Sequence, residues 1–219
     1  MKFKEIKSRA REALKGKWGV AIIASFIATA FGSAGSSITS SSSEEADFSM
    51  LSQLSTEEII TTVAVLGGIV ILGLVVSVII SSLVSIGYAQ FNIDLVDGDD
   101  PKIATLFSKG KQVGTAILAN ILVFLRVLLG MLLFVVPGII AVYKYSMVNY
   151  VIAENPGISA KEALTRSQEI MKGNKLRFFF FGFSFLGWCL LAVLTLGIAG
   201  IWVMPYINAS CAAFYREIA

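Results

Sequence analysis

The chain contains uncharged apolar runs longer than one crossing of a bilayer needs. Ile59 to Ile93 is 35 residues without a charge, and Phe178 to Tyr215 is 38. Trp18 to Ala34 is a third such run, and from Val113 to Tyr143 only Arg126 interrupts. A spanning helix takes about 20 apolar residues, each rising about 1.5 Å. Only 15% of residues are charged, against about 25% in a soluble globule. Such a chain has too few charges to cover a water-facing surface, so lipid must form part of its solvent.

The longest runs must fold back. In the last, Gly197 and Gly200 mark a turn within Thr195–Gly200. In Val113–Ala153, Pro137-Gly138 is the natural break, because proline lacks an N–H and glycine permits the turn. Ile59–Ile93 reads as one long helix leaving the bilayer near Gly87, with Thr56, Glu57 and Glu58 favouring its start. The expected spans are 18–34, 59–86, 113–136, 138–153, 177–196 and 199–215.

Charge placement orients these spans. Segments 1–17, 99–112 and 154–177 with the tail hold sixteen of the eighteen basic residues. They include the collar Lys15, Lys17, Lys109, Lys111, Lys172 and Lys175. Segment 35–58 is Ser-rich and acidic, with no basic residue. By the positive-inside rule both termini are cytoplasmic and 35–58 is an external loop. A cleaved signal peptide is the rival reading of the N-terminus; the long, helically patterned basic region argues against it.

Each hairpin follows a short amphipathic stretch. Phe3, Ile6, Ala10, Ala13 and Leu14 share one helical face. Ile103, Leu106, Phe107 and Gly110 repeat the spacing after Asp100-Pro101, a helix start. Ala160, Ala163, Leu164, Ser167, Ile170 and Met171 repeat it, with Ser159 and Glu162 matching a capping box. Such helices lie in the membrane interface. Arg9–Gly16 and Arg166–Gly173 share the pattern R-x-x-E-x-[LM]-K-G. There glycine ends the helix, and lysine complements its C-terminus and anionic headgroups. The expected fold is therefore all-α: a polytopic membrane bundle of six helices in three hairpins, each preceded by a cytoplasmic interfacial helix. It forms one membrane domain, 1–219, with a threefold repeat of 1–97, 98–153 and 154–219. Chance resemblance between basic amphipathic helices is the alternative to true repetition.

These blocks resemble the bacterial membrane-protein family catalogued as domain of unknown function 975. The likeness is carried by Ile6–Ala10 with Leu14-Lys15-Gly16, Pro137–Ile140 with Tyr143 and Tyr145, and Ile152–Pro156. It continues through Ser159–Ser167, Met171–Gly173, Phe185–Trp188, Leu194–Ile198, and Pro205-Tyr206 with Phe214-Tyr215. It is weakest over 35–58. Where that family often has a basic residue after Pro-Gly-Ile-Ile, this chain has Ala141, with Lys144 one turn later. The resemblance implies a Gram-positive plasma-membrane protein without an assigned activity. A distant similarity to the membrane portion of some glycerophosphodiesterases implies architecture, not phosphodiesterase chemistry.

Catalytic signatures are sparse. The chain has no histidine and no nucleotide-binding glycine motif, which excludes His-based triads and His-ligated zinc. Cys189 and Cys211 are not spaced as a metal or redox pair and read as small buried apolar residues. Acid–base carboxylates would have to be Asp94, Asp97, Asp99, Asp100 or Glu154, and the Asp cluster beside Gly98 reads better as a solvated turn. No enzyme activity, cofactor, metal or nucleic-acid partner is expected.

Arg126 lies within a span, where insertion costs about 2.5–3.5 kcal/mol, so it needs a partner or a wet cavity. Asp94, Glu154, a freed backbone carbonyl or a lipid phosphate would serve. It is either an intramembrane anion or lipid site, with Lys144, Tyr143 and Tyr145, or a structural arginine reaching a headgroup. Lys144, counted from the outer turn at Pro137, reads as reaching outward. Pro205 breaks the last helix, either as a kink or, as in transporters, beside a site. Two functions follow: organising anionic lipid or a membrane partner through the collar, or exporting an amphipathic or anionic compound.

Overall fold

The computed structural model describes residues 3–32 and 56–219, and among these every regular element is helical. Helices α1 (Phe3–Leu14), α2 (Trp18–Gly32) and α3 (Thr56–Asp97) come first. Short 3-10 turns at Ile103–Phe107 and Gly110–Gln112 lead into α4 (Val113–Leu133), α5 (Val135–Lys144) and α6 (Val148–Glu154). Then follow α7 (Ala160–Ile170), α8 (Lys175–Phe183), α9 (Leu186–Leu194) and α10 (Gly200–Ile218). The acidic loop expected at 35–58 lies outside the described residues except for its last three.

Burial divides the molecule into two zones. The core gathers Ile86–Leu95 of α3, Leu106, Val151–Ala153 of α6 and Ala209–Tyr215 of α10. Beyond it, large apolar side chains face outward. Phe26, Ile69, Ile71, Leu72, Leu74 to Val76, Leu128, Leu129, Met131 to Phe134, Leu190, Leu191, Val193, Leu194 and Leu196 are in this exposed set, and Leu132 is 83% and Leu196 94% exposed. A water-soluble surface rarely carries apolar patches of that extent. Four stretches are long and apolar enough to cross a membrane: Gly67–Asp97, Ile103–Leu133, Val136–Glu154 and Lys175–Leu194. Of the other two expected spans, Trp18–Thr29 is shorter, and α10 has its C-terminal half buried in protein.

Helix α3 is continuous for 42 residues, about 63 Å, the one long helix expected, and it runs on past Gly87. Gly87 instead lets another backbone approach: a Cβ there would lie 1.9 Å from the Leu106 carbonyl oxygen. That approach accompanies a correction. Segment 103–107 is a 3-10 turn, not an amphipathic α-helix, and Lys102, not Asp100, stands before its first residue.

The break expected at Pro137-Gly138 falls at Phe134, which is extended at φ −160° and ψ 149°. Pro137 sits in the first turn of α5, where its missing N–H is not needed. Gly138 meets Gly130 across the α4–α5 hairpin; a Cβ on Gly138 would come 2.3 Å from Met131 Cγ. The turn at Thr195–Ala199 lies where the glycines place it, with Gly197 at φ +90° and Leu196 at φ +52°. Pro205 is buried inside α10, which continues past it.

The first and third flanking stretches are α-helical. Ile6, Ala10 and Leu14 of α1 are buried where it packs on α10 and α3. Ala163, Leu164, Ser167 and Ile170 of α7 are buried where it packs on α4 and α6. Their apolar faces are thus taken up by protein. Ser159 caps α7, its hydroxyl accepting from the Glu162 N–H at 3.3 Å. Both helices end in the same lysine–glycine turn, with Gly16 at φ +77° and Gly173 at φ +85°.

Candidate functional site

Helix α5 is only ten residues long, about 15 Å. Its last residue, Lys144, stands beside α7. The Lys144 carbonyl accepts from the Ser167 hydroxyl at 3.1 Å. Lys144, Lys172 and Lys175 line one open groove of about 350 Å³ with Thr165, Gln168 and Glu169. The single carboxylate among them, Glu169, is shared with Arg166 at 3.6 Å.

Tyr145 joins this groove to Arg126. Its ring is buried, and its hydroxyl accepts from Arg126 Nη1 and from Gln168 Nε2, each at 3.3 Å. The Arg126 guanidinium is 5.5 Å and the Lys144 ammonium 5.6 Å from the ring centroid, within the range of cation–π attraction. Arg126 itself is exposed, and neither expected carboxylate meets it. Asp94 accepts from Gln90, and Glu154 is held by Arg216 and Tyr215. Tyr143 is apart from the cluster, edge-on to Phe178 and Phe179.

The rest of the collar is dispersed. Lys17 bonds the Asp99 carbonyl at 2.5 Å and the Asp100 carboxylate at 2.6 Å. Lys109 donates to the Ala153 carbonyl at 2.7 Å, closing the end of α6. Lys15 and Lys111 are exposed. Cys189 is exposed on α9, a helix without a buried residue, and Cys211 is half-buried. The reading of Cys189 as a buried residue is corrected, since α9 packs one side on α10 and turns the other outward, while Cys211 packs against the core.

Charge also gathers where the chain segments end. Arg216 pairs with Asp97 and Glu154, and the Tyr215 hydroxyl donates to Glu154. Burial works against the Arg216 charge, but the two carboxylates outweigh it and hold its pKa above the ordinary value. Beside them Glu217 pairs with Arg177. Burial there favours the neutral acid, yet the Arg177 hydrogen bond and charge prevail and lower its pKa.

A second concavity went unread in the sequence. Trp18, Trp188 and Trp202 converge with Val203, Tyr206 and Arg11 around about 290 Å³. The signal was available, since the chain has only three tryptophans. Their separation of up to 184 positions concealed it. A third groove, about 260 Å³, is lined by Thr29, Ser81, Ser85, Tyr88, Asn208 and Ala28.

Residues 127–219 match the family described as "Protein of unknown function (DUF975)". The match covers the last turns of α4 and everything after it, while most of α4 and the N-terminal block lie outside it. No curated protein and no solved structure matches the chain.

Proposed function

We propose that this chain is a multipass membrane protein that holds anionic lipid headgroups in the groove of Lys144, Lys172 and Lys175, and is not an enzyme. The observation that carries the reading is the position of that groove. Three lysines sit at the foot of the exposed apolar α4–α5 hairpin, with Arg126 linked through Tyr145. A phosphate in the headgroup layer would meet those ammonium groups while its chains lie against the hairpin. In this reading the helices cross a bacterial plasma membrane as three hairpins, α2–α3, α4 with α5–α6, and α8–α9 with α10, and both termini are cytoplasmic. The charge asymmetry of the connecting segments supports that orientation.

The test is native mass spectrometry after gentle detergent extraction. Wild type is expected to retain phosphatidylglycerol or cardiolipin, and Lys144→Gln with Lys172→Gln and Lys175→Gln to release it while remaining folded. A wild type carrying no anionic lipid, or a triple variant carrying as much, refutes the reading.

The hydroxyl-lined groove of Thr29, Ser81, Ser85, Tyr88 and Asn208 favours a second reading, a small exporter. Under it, Ser81→Leu with Ser85→Leu abolishes export without lowering the amount of folded protein.

A further inference from the structure

We infer that the tryptophan-walled concavity between α1, α9 and α10 seats one anionic phospholipid molecule, its phosphate on Arg11 and the start of its chains on Trp188 and Trp202. This rests on the lipid-binding reading above and adds a second, separate seat.

The walls are aromatic and the opening is apolar. Trp188 and Trp202 are 42% and 52% exposed, Val203 and Tyr206 are buried behind them, and Trp188 meets Tyr206 edge-on at 6.1 Å. Leu190 and Leu191, just after Trp188, and Ile198 and Ile201, just before Trp202, are all exposed, so the segments that carry the walls are themselves apolar and open. One cation lines it. The Arg11 guanidinium stands 5.8 Å from the Tyr206 centroid, and none of the ion pairs among the described residues includes Arg11. Its neighbour one turn earlier, Lys7, is by contrast spent on the Ser184 carbonyl at 2.8 Å and the Phe185 ring at 4.0 Å.

These features choose the occupant. An aromatic box alone would suit a quaternary ammonium, but Arg11 reverses the preferred sign. A free phosphate would gain Arg11 and nothing from three indoles. An amphiphile with a phosphodiester uses both, since indole rings favour the boundary between apolar and wet groups and guanidinium matches phosphate oxygens in pairs. The volume, about 290 Å³, is near the lower end for small-molecule sites, enough for a headgroup and the first part of a chain.

Because all three tryptophans line this site, intrinsic fluorescence reports on it alone. The full chain in detergent is titrated with phosphatidylglycerol or phosphatidylcholine carrying brominated chains. The brominated phosphatidylglycerol is expected to quench saturably, with an apparent Kd about tenfold lower than that of the choline lipid. Arg11→Gln removes the difference and Arg11→Lys retains most of it; excess glycerol phosphate does not relieve quenching. Equal quenching by both lipids, a preference that survives Arg11→Gln, or relief by glycerol phosphate overturns the inference. The groove proposal fails separately. Loss of discrimination in quenching with lipid still retained in mass spectra removes only this seat. Discrimination that persists in the Lys144, Lys172 and Lys175 variant, with unchanged lipid retention, removes only the groove.

Discussion

Arg216 holds two carboxylates that close different helices, Asp97 at the end of α3 and Glu154 at the end of α6. Both are preceded by the same spacing, Tyr88-x3-Asn92-x4-Asp97 and Tyr145-x3-Asn149-x4-Glu154. Removing the cation leaves two half-buried acids facing each other. Arg216→Ala is expected to cost about 1–3 kcal/mol, read as a lowered melting midpoint in detergent, and Asp97→Asn in that background to recover part of it. Glu217 adds a pH dependence. Its folded pKa is depressed by Arg177, after burial has worked the other way. A depressed acid contributes stability that is fully present above its unfolded pKa, about 4.5. That stability is lost as pH falls through the lower folded value. Hydrogen exchange at the end of α10 is expected to accelerate below about pH 4.5, and Glu217→Gln to remove that dependence while lowering stability at neutral pH. None of these pairings was legible in the sequence. Charge counting assigned Arg216 to the basic side and suggested Glu154 for Arg126, because partners across 62 or 119 positions follow from how helix ends converge, which local pattern does not contain.

At the scale of elements, what the sequence disclosed was periodicity and punctuation. The apolar faces of α1 and α7, the Ser159 cap and the Lys-Gly turns all appear where local chemistry places them. What it could not disclose was which neighbour covers each face. Segment 103–107 has the apolar spacing of a helix, yet only Leu106 is buried in it, pressed to α3 at Gly87. The narrower 3-10 turn brings the two backbones together, and glycine is needed at the contact. Gly87→Ala would set a Cβ 1.9 Å from the Leu106 oxygen, a backbone atom that cannot rotate away. The expected cost is about 1–3 kcal/mol, a fall of several degrees in the melting midpoint. Gly67→Ala, in the same helix and with nothing within 4 Å of the new Cβ, is the matched control. It is expected to be neutral or slightly stabilising, since alanine favours helix by about 1 kcal/mol. Equal losses at both positions would mean that the apposition of α3 and the 103–107 turn is not what glycine serves.

Across the whole molecule, the ends of three helices meet in one place. The segments ending at Asp97 and Glu154 both finish in Tyr-x3-Asn-x4-acid, while α10 carries Arg216 near its end. Arg216 supplies the charge that the two acids lack, so the three ends meet as one ionic junction rather than repelling. Such a junction has a definite side. Under the proposed three-hairpin layout, Asp97, Glu154 and Arg216 face one compartment and the turn at Leu196, between α9 and α10, faces the other. With Cys189 and Cys211 replaced by serine, a membrane-impermeant maleimide is expected to reach Leu196→Cys from outside intact cells. Lys172→Cys is expected to react only after permeabilisation. Reaction of both from one side would place α8–α9 and α10 in a shallow loop that dips into one leaflet. The ionic junction would remain possible, but the charge asymmetry that orients the three hairpins would lose its meaning for the third.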